Sequence, residues 1–113
     1  AVPNFKKLVF DVPRVTSVIK EKNELVISLQ PTRNNVRYVI FYGTETNSLI
    51  DSDDPSQIID RFFIYKNNNR LSIRVPIAAI ENKSKFALSY IDYYGNESKE
   101  IITQLPVATV KTH

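Results

Sequence analysis

The sequence predicts an all-β sandwich of about seven short antiparallel strands. Apolar residues recur with a period of two, as they do on strands that have one buried face. Turn-forming residues separate these alternating segments at short intervals. Only residues 55–62 carry a helical signal, and the chain therefore has no room for the several long helices of a parallel α/β fold.

Six segments have the alternating, β-branched or aromatic character of strands, and a seventh short strand is predicted directly after the helical signal. Pro13 opens the first strand, at a position where proline is tolerated. Segments rich in proline, asparagine or charged residues separate the strands. The predicted strands are residues 15–19, 25–30, 36–42, 63–66, 71–75, 86–90 and 101–105.

The alternation also predicts which side chains face the core. Where apolar and polar residues alternate, the apolar set lies inward. The third strand is apolar on both faces, which predicts a central strand, and we assign Tyr38 and Ile40 to its core face, opposite Val39 and Phe41. The predicted core is Leu25, Ile27, Leu29, Tyr38, Ile40, Leu71, Ile73, Val75, Phe86 and Leu88.

A helix-start signal precedes the fourth predicted strand. Asp54 stands at the N-cap position, Pro55 at the first helical position and Gln57 at the third. Ile58, Ile59 and Phe62 follow at helical spacing. The pattern predicts a short helical turn near residues 55–62.

The residue types that most catalytic and metal sites require are scarce. The chain has no cysteine, which excludes thiol catalysis, disulfides and thiolate zinc sites. Its one histidine is the last residue, His113, and its two glycines, Gly43 and Gly95, cannot build a phosphate-binding loop. We therefore predict no cofactor, no resident metal and no enzymatic activity for this chain.

The acidic residues 51–54 are the one segment that suggests calcium, a cation that prefers oxygen ligands. An EF-hand loop starting at Asp51 would need glycine where Ser56 stands and glutamate where Phe62 stands. The segment is therefore interpreted as a solvated loop with a helix cap, and a looser calcium site is the alternative.

Charge and hydropathy exclude two classes of partner. Fifteen basic and twelve acidic residues give a net charge of +3, and the two signs are interspersed. A nucleic-acid-binding module would show a basic stripe, which is absent, so we predict no nucleic-acid partner. No apolar run approaches the roughly 20 residues that a membrane helix needs, so we predict no membrane span in this segment.

Aromatic side chains are the feature best suited to binding. The chain has six tyrosines and six phenylalanines. We predict an interface with a neighbouring domain, and the alternative is a platform on which sugar rings stack. The absence of tryptophan argues against a sugar platform. The candidate contact residues are Phe62, Phe63 and Tyr65 in one segment and Tyr93 and Tyr94 in a loop.

The loop that contains Tyr93 and Tyr94 has the composition of a tight turn. The Asp92 carboxylate can accept hydrogen bonds from backbone N–H groups that follow it, as in an Asx turn. Gly95 or Asn96 can adopt the positive φ that a tight hairpin requires. The sequence thus predicts a structural role for these residues.

The nonapeptide YIDYYGNES at residues 90–98 resembles a motif of bacterial fibronectin type III modules attached to secreted glycoside hydrolases. The resemblance implies a fibronectin type III or immunoglobulin-like sandwich, with Leu29 where the family often has tryptophan. A wider pattern over residues 38–98 is similar to the C-terminal domain of bacterial proteins related to family 10 glycoside hydrolases. In those proteins a catalytic barrel precedes the sandwich.

The resemblance implies a non-catalytic accessory module of a larger exported bacterial protein, periplasmic, at the cell surface or secreted, with a neighbouring domain of the same polypeptide as its partner. A surface module that binds carbohydrate or protein and an adhesin-like repeat are the alternatives. Because the chain starts at Ala1 and contains no methionine, we expect a segment of a longer or processed protein. We assign residues 1–12 to a linker or N-terminal extension, 13–106 to the sandwich and 107–113 to a tail.

Overall fold

The computed structural model describes residues 12–30, 36–64 and 71–105. In these ranges it has seven strands in two antiparallel sheets, which confirms the predicted all-β sandwich. The three-stranded sheet has the order β1-β2-β5 and the four-stranded sheet the order β4-β3-β6-β7. The strands are β1 (Val15–Glu21), β2 (Glu24–Leu29), β3 (Val36–Thr44), β4 (Ile58–Phe63), β5 (Leu71–Pro76), β6 (Lys85–Asp92) and β7 (Ile101–Thr103).

The helical prediction near residues 55–62 is correct only for its first turn. A 3-10 helix covers Pro55–Gln57, and the Asp54 side chain caps it by accepting from the Ser56 N–H. From Ile58 onward the chain is β4, so the strand begins earlier than the predicted residue 63. The β-branched Ile58 and Ile59 favour a strand, and pairing with β3 supplies the backbone hydrogen bonds.

Helices play little part elsewhere. A second 3-10 helix, Ile77–Ala79, follows β5 and joins the two sheets through residues 80–84. Across the described ranges, neither helix has the length or the apolarity that a bilayer crossing requires. The predicted domain limits at residues 13 and 106 stay predictions, because residues 1–11 and 106–113 lie outside the described part.

The three-stranded sheet follows simple alternation. On β2 and β5 every second side chain is buried between the sheets. The intervening side chains point outward and are half-buried on β2 and exposed on β5. Ile27 pairs with Ile73 across the two strands, so both belong to one layer of the core. All six predicted core residues of these strands are confirmed as buried: Leu25, Ile27, Leu29, Leu71, Ile73 and Val75.

The central strand β3 of the four-stranded sheet is apolar on both faces. Val39 and Phe41 of β3 point between the sheets, where the Phe41 ring stacks on Phe86 at 5.8 Å. The predicted face of Tyr38 and Ile40 is therefore wrong, because both lie on the outer face. Ile40 is buried there as predicted, whereas Tyr38 is only partly buried. Because both faces of β3 carry large apolar side chains, its sequence does not distinguish the two orientations.

Part of the outer face of the four-stranded sheet is covered by the β3–β4 connection, residues 45–57. Ile50 of this connection and Ile58 of β4 pack over a buried cluster on the outer face. The buried Gln57 side chain holds the connection, because its Oε1 accepts from the Asp51 N–H at 2.8 Å and its Nε2 donates to the Leu49 carbonyl at 2.9 Å. The covered cluster is Ile40, Tyr42 and Ala87.

The chain enters and leaves the sandwich at opposite ends. Val15 pairs with Leu29 where β1 begins, and the Tyr90 hydroxyl of β6 donates to the carbonyl of the adjoining Gln30. The C-terminal end of β6 therefore lies at the end of the sandwich where the chain enters, which we call the entry end. Thr103 pairs with Phe86 at the other end of β6, which we call the exit end.

Candidate functional site

The turn after β6 is built around the Asp92 carboxylate. Its Oδ1 accepts from the backbone N–H groups of Tyr94 and Asn96, both at 2.8 Å, and its Oδ2 accepts from Asn96 Nδ2 at 3.1 Å. Gly95 has φ +85° and donates its N–H to the Asp92 carbonyl. The geometry is that of an Asx turn in which both carboxylate oxygens accept hydrogen bonds.

This turn carries two exposed aromatic rings. Tyr93 is 42% exposed and Tyr94 is 86% exposed. Their backbone is fixed by the Asp92 hydrogen bonds and by an isolated bridge between Ile91 and Glu97. Binding of a partner to these rings would therefore cost little additional conformational entropy of the turn backbone.

Glu97 anchors the far side of the turn to the outer face of the four-stranded sheet. Its Oε2 accepts hydrogen bonds from the Tyr42 hydroxyl on β3 and from the Ser89 hydroxyl on β6. Burial, then the hydrogen bond to the Glu97 carboxylate, raises the pKa of Tyr42 above its usual value. The three side chains tie two neighbouring strands to the segment that follows the aromatic turn.

Ser98 completes this attachment through the backbone of β6. Its N–H donates to the Tyr90 carbonyl at 2.8 Å, and its Oγ accepts from the Tyr90 N–H at 2.9 Å. The same hydroxyl donates to the Lys99 carbonyl, and the residue is buried. Ser98 therefore replaces one step of the β6 ladder with a side-chain hydrogen bond.

A second aromatic pair lies on the outer face near the entry end. Phe63 of β4 is opposite Tyr38 of β3, with the rings edge to face at 5.7 Å, and the Arg37 guanidinium lies 5.4 Å from the Tyr38 centroid. Phe62 points the other way and packs against the core between the sheets. Tyr65 lies outside the described residues.

These rings belong to one end of the molecule. Tyr38 pairs with Ile91 on its other side, one residue before the Asp92 turn. We name this surface the aromatic end and define it as Tyr38, Phe63, Tyr93 and Tyr94. Phe63, Tyr93 and Tyr94 are the exposed aromatic side chains within the described ranges.

The acidic segment forms local turns. Asp51 Oδ1 accepts from the Asp53 N–H at 3.0 Å, and Asp54 Oδ1 accepts from both the N–H and the hydroxyl of Ser56. The Ser56 hydrogen bonds, the hydroxyl first, lower the pKa of Asp54. Within residues 12–30, 36–64 and 71–105, no group of three or more His, Cys, Asp or Glu side chains is arranged to hold a metal ion.

Sequence reasoning missed the set that anchors the turn, namely Tyr42, Ser89, Glu97 and the hydroxyl of Ser98. Ser89 gave one signal, because a serine with apolar neighbours in a buried strand requires a hydrogen-bond partner. Its partner Glu97 gave no such signal, since a charged residue after a turn is ordinarily solvated. The pairing depends on the strand register, which the sequence does not show.

Comparison of the chain with protein-family models, with curated proteins and with solved structures found no match.

Proposed function

We propose that this chain is a non-catalytic accessory module of a larger exported bacterial protein, in which it packs against a neighbouring domain. One observation carries the proposal: the hydrogen-bonded Asp92 turn holds Tyr93 and Tyr94 outward, 42% and 86% exposed. Exposed aromatic rings on rigid backbone are typical of surfaces that another molecule covers.

The chemistry of the acidic side chains also supports a structural role. The carboxylates of Asp51, Asp54, Asp92 and Glu97 each accept hydrogen bonds from groups of this chain that they fold or anchor. A general acid or base would instead be directed at a substrate in a cleft. The further proposal of a glycoside hydrolase-like parent and of export rests on the resemblance of residues 90–98 and the wider pattern over residues 38–98.

A carbohydrate-binding module is the second candidate. The same observation favours it, because an exposed ring such as that of Tyr94 presents the flat apolar face on which a sugar ring can stack. The two functions differ in what the isolated chain does. A sugar platform binds its ligand without any neighbouring domain, whereas a packing surface requires that domain.

The packing role is tested by thermal unfolding of residues 1–113 alone and within the longer natural polypeptide. We expect the module to unfold at a higher temperature in the longer protein, since an interface present only in the folded state stabilises it. An unchanged midpoint would contradict the packing role.

The carbohydrate role is tested by titrating the isolated chain with plant and bacterial polysaccharides. Amide shifts are followed at Phe63, Tyr93 and Tyr94, with the exposed Leu49 as the internal control. Saturable shifts confined to the three aromatic residues at millimolar sugar or below would establish the second candidate. The packing proposal expects none.

A further inference from the structure

We infer that the free edge of β5 pairs with the same edge of a second copy of this chain, joining two three-stranded sheets into one antiparallel six-stranded sheet. This edge belongs to the sheet that does not carry the aromatic end, and the inference is independent of the packing role. It follows from the direction of the backbone groups on β5, from the state of the other strand edges and from the one register in which the edge complements itself.

The backbone groups of β5 point alternately toward β2 and away from it. Ile77 donates its N–H to the Asn23 carbonyl at 2.8 Å, and the register between the two strands has no shift. In an antiparallel ladder such bonded pairs recur at every second residue, so Ile73 bonds to β2 while Ser72 and Arg74 direct their N–H and carbonyl groups to the free edge. Among the described residues these groups have no hydrogen-bond partner.

The corresponding edge of β1 is obstructed. A bulge interrupts the strand between Val15 and Ser17, and the exposed Lys20 directs its backbone N–H to the edge. Bulges and edge lysines both discourage pairing with another strand. The exposed Ile19 does not open this edge, because the alternation from the two-residue hairpin directs its backbone groups toward β2.

The edges of the four-stranded sheet are less suited to pairing as well. The hydrogen bond from the Ile64 N–H to the Arg37 carbonyl, at 2.9 Å, sets the alternation on β4 and directs the Arg61 N–H to the edge. There Asp60 Oδ1 already accepts from the Arg61 N–H at 2.7 Å. The described part of β7 spans only three residues, and short edge strands offer few groups for pairing.

One antiparallel register lets the β5 edge complement itself. With Ser72 opposite Arg74 of the second copy, the N–H and carbonyl groups of these residues satisfy one another in four hydrogen bonds. A two-fold axis then passes between the two Ile73 residues, and the assembly closes as a dimer. A register shifted by two residues would place Pro76, which has no N–H, opposite Ser72 and would bring the two Arg74 guanidinium groups side by side.

Charge and size determine how tightly the copies associate. Arg74 binds Glu21 at 3.0 Å and Glu24 at 3.3 Å, so its guanidinium is directed over its own sheet and leaves the edge accessible. Four backbone hydrogen bonds between two strand edges bury far less than the about 1,200 Å² at which stable complexes begin. The dimer should therefore form reversibly and only at high protein concentration.

The association is tested on residues 1–113 by sedimentation equilibrium and amide hydrogen exchange, from about 10 μM to about 1 mM chain. We expect the dimer fraction to rise with concentration, and exchange of the Ser72 and Arg74 N–H groups to slow as it does. The Lys20 N–H, at the edge of β1, is the internal control and should exchange at the same rate throughout.

Substitutions at Ser72 test the register. Ser72→Glu places a carboxylate opposite Arg74 of the second copy and Ser72→Lys places an ammonium there, whereas within one chain position 72 faces the neutral Ser28. We expect Ser72→Glu to lower the dimer dissociation constant and Ser72→Lys to raise it, each by about 2- to 30-fold, because two such cross-strand pairs form in each dimer.

The matched control is Ser17, which is exposed on β1 and faces Ser28 from the other side. Ser17→Glu and Ser17→Lys change the net charge of the chain equally and should shift the constant far less. Equal responses at positions 17 and 72 would overturn the inference, as would a chain that stays monomeric at about 1 mM or a dimer without protection of Ser72 and Arg74. Protection of these two amides only in the longer natural polypeptide would assign the edge to another segment of that protein and would also overturn it.

Discussion

The two sheets differ in whether their outer faces are open to solvent or covered by loops. The three-stranded sheet leaves its outer face open to solvent. On it Arg74 pairs with Glu21 at 3.0 Å and Glu24 at 3.3 Å, and the exposed Ile19 lies opposite Val26. The four-stranded sheet covers part of its outer face with its own connections, through Ile50 on one side and Glu97 on the other.

This difference shows where local sequence patterns are sufficient and where they fail. A sheet with one solvated face needs only alternation, which the sequence displays. A sheet that packs against the other sheet on one face and under loops on the other has its second core assembled from distant segments. The four-stranded sheet is thus stabilised by contacts that lie far apart in the chain, and its surface properties depend on those loops.

The largest expected effect tests whether the outer cluster is a second core. Phe41→Ala, between the sheets, should lower the free energy of unfolding by about 3–5 kcal/mol, and Ile40→Ala, on the outer face, by about 2–5 kcal/mol, because both side chains are buried. Urea denaturation of the two variants measures both values.

The matched control is on the three-stranded sheet. Val26 is a β-branched residue on the outer face of the central strand β2, but it is only half-buried. Val26→Ala should cost under about 1 kcal/mol. If Ile40→Ala costs no more than Val26→Ala, the two sheets do not differ in the way described.

The sequence predicted side-chain orientation correctly where apolar and polar residues alternate along one strand. Leu25 and Ile73 lie in such alternating strands, and both point into the core as predicted. The Asp54 cap was recognised, but its helix ends after one turn because β3 offers Ile58 and the residues after it a strand partner, which is tertiary information. The Glu97 contacts join residues 8 and 55 positions apart, so no local pattern encodes them.

The second effect concerns the aromatic turn of the four-stranded sheet. Gly95 has φ +85°, and a Cβ added there would meet no atom within 4 Å. The cost of Gly95→Val is therefore conformational, about 1–3 kcal/mol, since a β-branched residue is strained in this region. Gly95→Asn is the control, because asparagine tolerates positive φ, and chemical denaturation should place it near the wild type.

The third effect depends on pH. The pKa of Tyr42 is raised, so the folded protein holds the phenol proton more tightly than the unfolded chain. This contribution to stability is fully present below about pH 10, the ordinary pKa of tyrosine, and is lost as pH rises through the raised folded pKa. Tyr42→Phe should therefore lose less stability than the wild type between pH 9 and pH 11, measured by urea denaturation.

At neutral pH the same variant reports the hydrogen bond to Glu97. Its loss should cost about 1–3 kcal/mol, toward the lower end because Glu97 is partly solvated. Tyr94→Phe, at the 86% exposed position, is the control and should match the wild type at both pH values. If Tyr42→Phe and the wild type lost the same unfolding free energy between pH 9 and pH 11, the phenol of Tyr42 would not have a raised pKa in the folded protein.

The smallest effect lies in the hairpin of the three-stranded sheet. Lys22 has φ +54°, in a two-residue turn where glycine would be unstrained. Lys22→Gly should stabilise the fold by up to about 1 kcal/mol, the relief of strain being partly offset by the greater entropy of the unfolded chain. Asn23→Gly lacks that relief and should be neutral or destabilising in the same denaturation experiment.

The opposed positions of the chain ends also determine how the module would bear tension. A pull on both ends draws β1 and β7 along their own axes, so each ladder is loaded in shear and its hydrogen bonds share the force. β1 pairs with β2 at six positions, whereas the described part of β7 pairs with β6 at three. The mechanical limit of the module is therefore set at β7, and single-molecule extension in which β1 detached first would contradict that order.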